Sequence, residues 1–462
     1  MNTEMETEPV PSKGTMGGLH AGLRHRHVSM MALGGIIGAG LFIGSGSVIR
    51  SAGALSIAAY AVGGLILVLV MRMLAEMATA RPALGSFAEY ARLAFGDWAG
   101  FVVGWTYWYF WVTVVAWEAI AGAEIIHNAF PQAPMWAISA SIMAVMTVLN
   151  LLSVRVFGEV EFWFAAIKVL AIVAFLAVGV LALLEVLPGQ ETHGLAIRPD
   201  TIAPHGFSGV LSALVVVVFS YFGAEIVTIA ASEAENPVRA VARASATVVW
   251  RVVTFYAGAT LVIVLLLPYD QVDGRSSPFV ALLDRLGVPA AATIMEVIVL
   301  TAVLSLLNSG IYTSSRMLFA LTDKGEAPRW LAGTTSRGVP ARAILLATLV
   351  GWISVGIAYL APDAVFTFLL NAAGCVAMVI YAAVAAAQLK LRRSFERAND
   401  RLPVRMWAYP YLSWLTVILL VGIVIAMLAD PATRGQLGLG LIAPAAMIVI
   451  YGVCRIVRSA TR

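Results

Sequence analysis

Two short runs combine residue types that seldom share a helix. One is Gly34-Gly35-Ile36-Ile37-Gly38-Ala39-Gly40, with four glycines in seven positions, and the other is Ser220-Tyr221-Phe222-Gly223-Ala224-Glu225, where a glycine stands beside an acid. Each lies inside a long apolar stretch. Glycine weakens a helix, so both runs read as breaks; the alternative is that the glycines let neighbouring helices pack closely. A break in an apolar medium leaves backbone N–H and C=O groups without helical partners, and something polar must satisfy them. The half-helix that begins at a break presents N–H groups and the positive end of its dipole, which suit a carboxylate. The half-helix that ends there presents carbonyls, which suit an ammonium. Ile37, Gly38, Ala39 and Gly40 on one side and Phe219, Ser220 and Phe222 on the other therefore form a candidate clamp for a zwitterion, the chemistry of an amino acid.

Charged side chains inside apolar spans are expensive and need a partner or a task. Lys168 follows Gly158 by ten residues, about 15 Å along a helix, which places it near mid-membrane. A lysine there can bind and release a proton, so it is a candidate for proton coupling, with a fixed ion pair as the alternative. Glu225 at the second break either gates or helps to bind an ammonium group, or caps loose backbone N–H groups. Arg72 and Glu76 lie four apart on one helix face and read as a structural pair. Glu118 sits among Trp105, Trp108, Trp111 and Trp117 in the outer part of its span, either facing the route into the site or serving as a satisfied structural carboxylate. The tryptophans themselves read as interfacial and packing residues.

Other chemistries lack their residues. Gly38-Ala39-Gly40 is followed by three residues before Gly44, which breaks the dinucleotide-binding spacing, and no Gly-Lys-Ser/Thr phosphate loop exists. The six histidines include no His-Glu-x-x-His pair. Neither an enzyme, nor a cofactor, nor a metal site is expected. Cys375 and Cys454 both lie in apolar stretches and read as buried thiols.

The elements that must position these groups are membrane helices. Of the 462 residues 60% are hydrophobic and 12% charged, with mean hydropathy +0.89, where a soluble domain carries about 45–50% and about 25%. The net charge of +4 is spread between apolar runs, so the expected partner is a lipid bilayer and not nucleic acid. Apolar runs cut at Pro, Gly and charge clusters give twelve spans: 28–49, 55–80, 98–127, 134–153, 158–187, 207–233, 243–268, 289–320, 341–361, 365–390, 407–429 and 436–457. With the amino terminus inside, 23 of the 30 Lys and Arg fall on inner segments and five, Arg50, Arg198, Arg275, Arg285 and Arg434, on outer ones; Arg72 and Lys168 lie within the membrane. The positive-inside rule thus predicts both termini in the cytoplasm, and makes the Arg72–Glu76 end of the second span cytoplasmic. The first 22 residues, acidic at Glu4, Glu6 and Glu8, read as a cytoplasmic tail and not a cleaved signal. His25 and His27 follow in a basic segment suited to anionic headgroups. Five spans separate the two breaks, an odd number, so two groups of five helices would run with opposite topology, an inverted repeat of the kind found in many secondary transporters.

Several motifs resemble the bacterial amino-acid permeases of the amino acid–polyamine–organocation superfamily. They are Gly22-Leu23-Arg24-His25-Arg26-His27 with Ala32-Leu33-Gly34-Gly35-Ile36-Ile37-Gly38-Ala39-Gly40-Leu41-Phe42, Gly104-Trp105-Thr106-Tyr107-Trp108, Gly158-Glu159-Val160-Glu161-Phe162-Trp163-Phe164, and Asn308-Ser309-Gly310 with Ser314-Ser315-Arg316-Met317-Leu318. Within that family the chain is similar to γ-aminobutyrate permeases at Met71-Arg72-Met73-Leu74-Ala75-Glu76-Met77-Ala78, Gly223-Ala224-Glu225-Ile226-Val227-Thr228-Ile229-Ala230-Ala231 and Arg405-Met406-Trp407-Ala408-Tyr409-Pro410. The resemblance implies an all-α membrane protein with a LeuT-like five-plus-five inverted repeat and two additional C-terminal helices. Its parts would be a tail at 1–27, repeats at 28–205 and 206–390, and a closing segment at 391–462. It also implies proton-coupled import of a small amino acid, γ-aminobutyrate or a related compound, across a bacterial plasma membrane, with exchange or a different neutral α-amino acid as alternatives. Lys168 matches a fifth-helix lysine that occupies the place of a sodium ion in related permeases. Tyr107, Phe219 and Phe222 are the aromatics expected near substrate.

Overall fold

Apolar runs become helices close to the expected places in the computed structural model, which describes residues 23, 25–83, 85–186, 196–234, 236–274, 276–288, 290–360 and 362–460. The expected tail at 1–22 lies outside the described residues. In chain order the helices are α1 (His25–Gly34), α2 (Ala39–Phe42), α3 (Gly44–Ala52), α4 (Ser56–Ala80), α5 (Phe87–Phe95), α6 (Asp97–Ala129), α7 (Met135–Leu152), α8 (Val154–Leu183) and α9 (Gly206–Tyr221). They continue as α10 (Ile226–Ala230), α11 (Pro237–Arg251), α12 (Ala259–Leu266), α13 (Pro278–Arg285), α14 (Ala291–Asp323), α15 (Ala341–Leu360), α16 (Pro362–Arg397), α17 (Tyr411–Ala429) and α18 (Pro431–Ala460). Among the described residues the only β pairing is an isolated bridge between Leu23 and Ala234. Ten helical stretches there are long and apolar enough to cross a membrane; the first, Ala39–Ala80, runs through two of the expected spans, and Ala341–Gly356 is a shorter apolar helix.

Local chemistry sets several boundaries. The Ser153 hydroxyl accepts from the Val156 amide and separates α7 from α8. The Asn236 side chain accepts from the Arg239 amide ahead of Pro237, so α11 starts earlier than the expected 243. The short helices α5 and α13 were not expected. Each buries one face, Phe87, Ala88, Tyr90 and Ala91 in α5 and Phe279, Leu282 and Leu283 in α13, and both are too short to register as apolar spans.

Burial ranks the helices from centre to rim. In the most apolar window of α6, 78% of residues are buried, against 28% in α17 and 22% in α18. Helix α6 is therefore an axis, with α14 packed along it, whereas α17 and α18 present Trp414, Ile418, Val421, Ile425, Val449 and Val453 outward. Cys454 lies on this exposed face, which corrects the expectation of two buried thiols; Cys375 is buried as expected. The sequence pattern shows that a residue is apolar but not which neighbour covers it.

Polar side chains pin the end of the bundle where α1 begins, here the lower end. Glu76 is fully buried in α4 and does not pair with Arg72. Its carboxylate accepts from Gln388 Nε2 at 2.7 Å, the Met406 amide at 2.7 Å, and the Arg392 guanidinium. Arg72 instead donates to the Arg405 carbonyl at 2.8 Å and lies over the Trp407 ring. The sequence spacing put the two on one face, but the segment after α16 reaches both with better donors and acceptors. His27, expected at the headgroups, is buried, with Nε2 3.2 Å from Glu159 Oε1. Helix α1 begins at His25 and carries His27 into the bundle, where Gly158 leaves room for its ring. A buried ion pair, Arg316 Nε to Glu233 Oε1 at 2.9 Å, joins α14 to the end of α10, and the Tyr312 hydroxyl donates to the same oxygen at 3.0 Å.

Removing one partner of a buried charge pair costs about 3–5 kcal/mol, because the other charge is left uncompensated. Glu76→Ala is therefore expected to lower the melting temperature of the purified protein in detergent strongly. An unchanged melting curve would show that the α4–α16 contact stands without this carboxylate.

Candidate functional site

The two expected breaks are present and they touch. Helix α1 ends at Gly34; the Gly35 amide bonds to the Met31 carbonyl at 2.7 Å and the Ile37 amide to the Gly34 carbonyl at 3.0 Å. The chain then extends through Gly38 (φ −144°, ψ −159°) before α2 turns back into a helix with no side-chain cap. On the other side α9 ends at Tyr221, Phe222 is extended, and Gly223 takes φ +120°, a region that glycine enters freely and other residues rarely do. A Cβ at Gly223 would lie 2.3 Å from the Gly35 carbonyl oxygen, and one at Gly40 would lie 2.8 Å from Ser220 Cα. The two interrupted helices meet backbone to backbone, which no larger residue at these positions allows.

Polar side chains from other helices answer the loosened backbone. Lys168, fully buried on α8, donates to the carbonyls of Gly34 (2.7 Å) and Ile37 (2.9 Å) and to Ser305 Oγ (2.8 Å) on α14. All three ammonium hydrogens are thereby used. The Ser305 hydroxyl donates in turn to Glu161 Oε1 at 2.6 Å, so a carboxylate backs the lysine at one remove. At the second break Glu225 accepts from the Gly223 amide (2.9 Å) and from the Tyr107 hydroxyl (3.2 Å). Glu225 thus holds loose backbone, as one of its two expected roles required, and joins it to α6. Glu118 is fully buried near Lys168, on which it acts through space, and does not line the cavity that opens toward the upper end of the bundle.

Between the breaks lies a cavity of about 10 Å³ lined by Ile36, Gly40, Phe110, Trp111, Val114, Phe219, Ser220, Phe222 and Leu306. That is room for about one water molecule. Aromatic rings close it: Phe110 and Phe222 are 4.2 Å apart, Trp117 packs on Phe219 at 5.5 Å, and Tyr107 lies against Phe222 at 5.9 Å. Toward the upper end a second cavity of about 700 Å³ opens among Ile43, Ala121, Glu124, Asp273, Asp284 and Glu296. The structure therefore brings Gly40, Phe219, Ser220 and Phe222 around one small space; Ile37, Gly38, Ala39, Tyr107 and Glu225 are not in its lining, Tyr107 packing on Phe222 and bonding to Glu225, and Ile37 turning its carbonyl to Lys168. Lys168 and Glu118 stand behind the first break. Ser305, Glu161 and Tyr256 were not singled out from the sequence. Glu161 had a signal, a charge within an apolar span, but hydroxyls of Ser and Tyr in such spans carry none.

Comparison with known proteins places the chain among transport proteins. The family described as amino acid permease matches residues 27–462. The γ-aminobutyric acid permease of Bacillus subtilis (strain 168) is 45% identical over 444 residues, 96% of this chain and 95% of that protein. The γ-aminobutyric acid permease of Escherichia coli (strain K12) is 40% identical, covering 92% and 93%, and the aromatic amino acid transport protein AroP of Corynebacterium glutamicum is 43% identical, covering 91% and 92%. Among solved structures, a manganese transporter of Eremococcus coleocola shares the fold at TM-score 0.59 over 97% of both chains, with 14% identity.

The contact between Gly40 and Ser220 generates a direct test. In Gly40→Val the added branch must push the two breaks apart, and binding of radiolabelled amino acid by the purified protein should fall below detection while gel filtration still shows a folded monodisperse species. Near-normal affinity in that variant would remove the contact from the binding site.

Proposed function

Because the chain belongs to the amino acid permease family and so carries amino acids across a membrane, we propose that it imports a small amino acid, γ-aminobutyrate or a close relative, bound between the two breaks and driven by protons. The substrate carboxylate meets the amides of Gly38, Ala39 and Gly40 with Ile37 beside them. The ammonium meets the backbone around Phe219, Ser220 and Phe222, and Tyr107 and Glu225 close the site from α6 and from the second break. The observation that carries this reading is the backbone-to-backbone meeting of two interrupted helices around one small enclosed space. Helix α2 begins at Ala39 with no side-chain cap, which supports that end as the one suited to negative charge.

In the same reading there are twelve spans. The pieces α1 to α3 form the first and α4, α6, α7 and α8 complete one repeat (28–205); α9 with α10, α11 with α12, α14, α15 and α16 form the inverted second (206–390); α17 and α18 are additional (391–462). The lower end is cytoplasmic with both termini there, in a bacterial plasma membrane, and the outer cavity is the route to the site. Relatives include both γ-aminobutyric acid permeases and aromatic amino acid transport proteins. The space beside the packed Phe110 and Phe222 rings must open before any substrate enters, and the smaller substrate needs the smaller opening.

Lys168 is the proposed coupling group. Protonated, it offers three hydrogens to three acceptors; deprotonated, it offers two, and one of the first-break carbonyls or Ser305 is released. The charge of the lysine thus controls how firmly the first break is held to α8, and Glu118 is placed to feel that change.

Two measurements test the reading. In a competition panel against radiolabelled γ-aminobutyrate uptake, short ω-amino acids should compete strongly and phenylalanine, tyrosine and tryptophan weakly; the reverse order would assign the aromatic substrates instead. In proteoliposomes, Lys168→Ala should lose the dependence of uptake on pH and proton gradient while retaining counterflow. Retained proton-driven accumulation would move the coupling to a carboxylate such as Glu118 or Glu225.

A further inference from the structure

A single hydroxyl spans the two breaks from a third helix. Between α11 and α12 the backbone widens into a π-helical segment, Val252–Gly258, a form that is rare and found frequently at functional sites. This segment turns Tyr256 into the core, where it is 1% exposed and its hydroxyl lies 2.7 Å from the Ile36 carbonyl and 2.8 Å from the Ser220 carbonyl. Ile36 belongs to the first break, Ser220 adjoins the second, and both line the enclosed space between them. The ring is held in place by Tyr221 at 4.5 Å and Tyr60 at 5.9 Å. Tyr221 does not share the task, because its hydroxyl donates to the Tyr60 carbonyl at 2.9 Å.

A phenol carries one proton, so Tyr256 donates to one of the two carbonyls at a time, and the other faces an oxygen lone pair. Next to them the Ser220 hydroxyl is buried beside the Tyr60 and Tyr256 phenols. A carbonyl in a dry interior that lacks a donor is costly. An incoming group with several N–H donors relieves that cost, and an ammonium has three.

We propose that Tyr256 is a positioning residue that fastens the two breaks to each other, and that the substrate ammonium takes over the carbonyl that the hydroxyl is not serving. The first half of this statement concerns the protein alone; the second rests on the reading of the enclosed space as the amino-acid site. Ligand binding and the attachment of one break to the other are then linked through one proton.

The test uses Tyr256→Phe, which keeps the ring and its packing and removes only the hydroxyl. Amide hydrogen exchange on the full-length protein in nanodiscs, without ligand, should quicken together in 35–40 and 219–225. If the residue serves only the packing of α11 and α12, exchange would quicken there and leave both breaks unchanged, which overturns the proposal. Tyr221→Phe removes a hydroxyl from the same ring cluster and should quicken exchange near Tyr60 without linking the breaks; equal loosening of both breaks in that variant also overturns it. With γ-aminobutyrate as the probe, the parent should show protection at both breaks and Tyr256→Phe should bind about five- to tenfold more weakly, the loss of one hydrogen bond. Absence of ligand protection in the parent would count against the substrate reading, whereas protection in the parent with unchanged affinity in Tyr256→Phe would count against the role given to Tyr256.

Discussion

Everything at the centre of this protein answers to one constraint: a helix interrupted in a dry interior must have its freed backbone groups satisfied by the protein itself. Lys168 takes two carbonyls of the first break, Glu225 takes an amide of the second, and Tyr256 reaches one carbonyl of each. These side chains come from α8, from the second break and from the turn between α11 and α12, so elements far apart in sequence are committed to one place. The glycines make the arrangement possible because they let the two interrupted strands of backbone approach without intervening side chains. The groups that satisfy the breaks include a lysine and a carboxylate, so structural support brings ionisable side chains to the centre of the bundle.

Much of this was legible in the sequence, for definite reasons. Composition and apolar run length specify membrane helices, since the bilayer leaves few other choices, and the eleventh span, expected at 407–429, is observed as Tyr411–Ala429. Glycine clustering marked both breaks, and the distance of Lys168 from Gly158 placed it at their depth. What failed were statements about partners. Arg72 and Glu76 share a face yet bond to residues of α16 and of the segment after it, His27 turns inward beside Gly158, and Cys454 faces outward. Ser305 and Tyr256 matter through atoms that approach from distant helices, and a hydroxyl in an apolar span leaves no local trace of such a role. Spacing in one helix reports a face; it does not report what packs on that face.

The burial gradient divides labour across the bundle. Most of α6 and the later part of α14, Ser305–Thr322, are buried and carry polar groups that touch the breaks or their supports, Tyr107 and Ser305 among them. Helices α17 and α18 are mostly uncovered, and the segment before them is anchored at the lower end by Glu76 and Arg72. The segment before α17 is thus fastened to α4 and α16 at the lower end, and α17 and α18 pack along α16 beyond it.

The small aromatic space between the breaks also limits how much connected water the centre of the bundle can hold. Protons cross water by hopping along connected hydrogen-bonded molecules, and a space with room for about one water, walled by Phe110, Phe222 and Leu306, holds no such chain. The large cavity among Ile43, Ala121 and Glu296 includes neither Lys168 nor Glu118 in its lining, so in this conformation a proton reaching the first break from that side would have to pass between packed side chains.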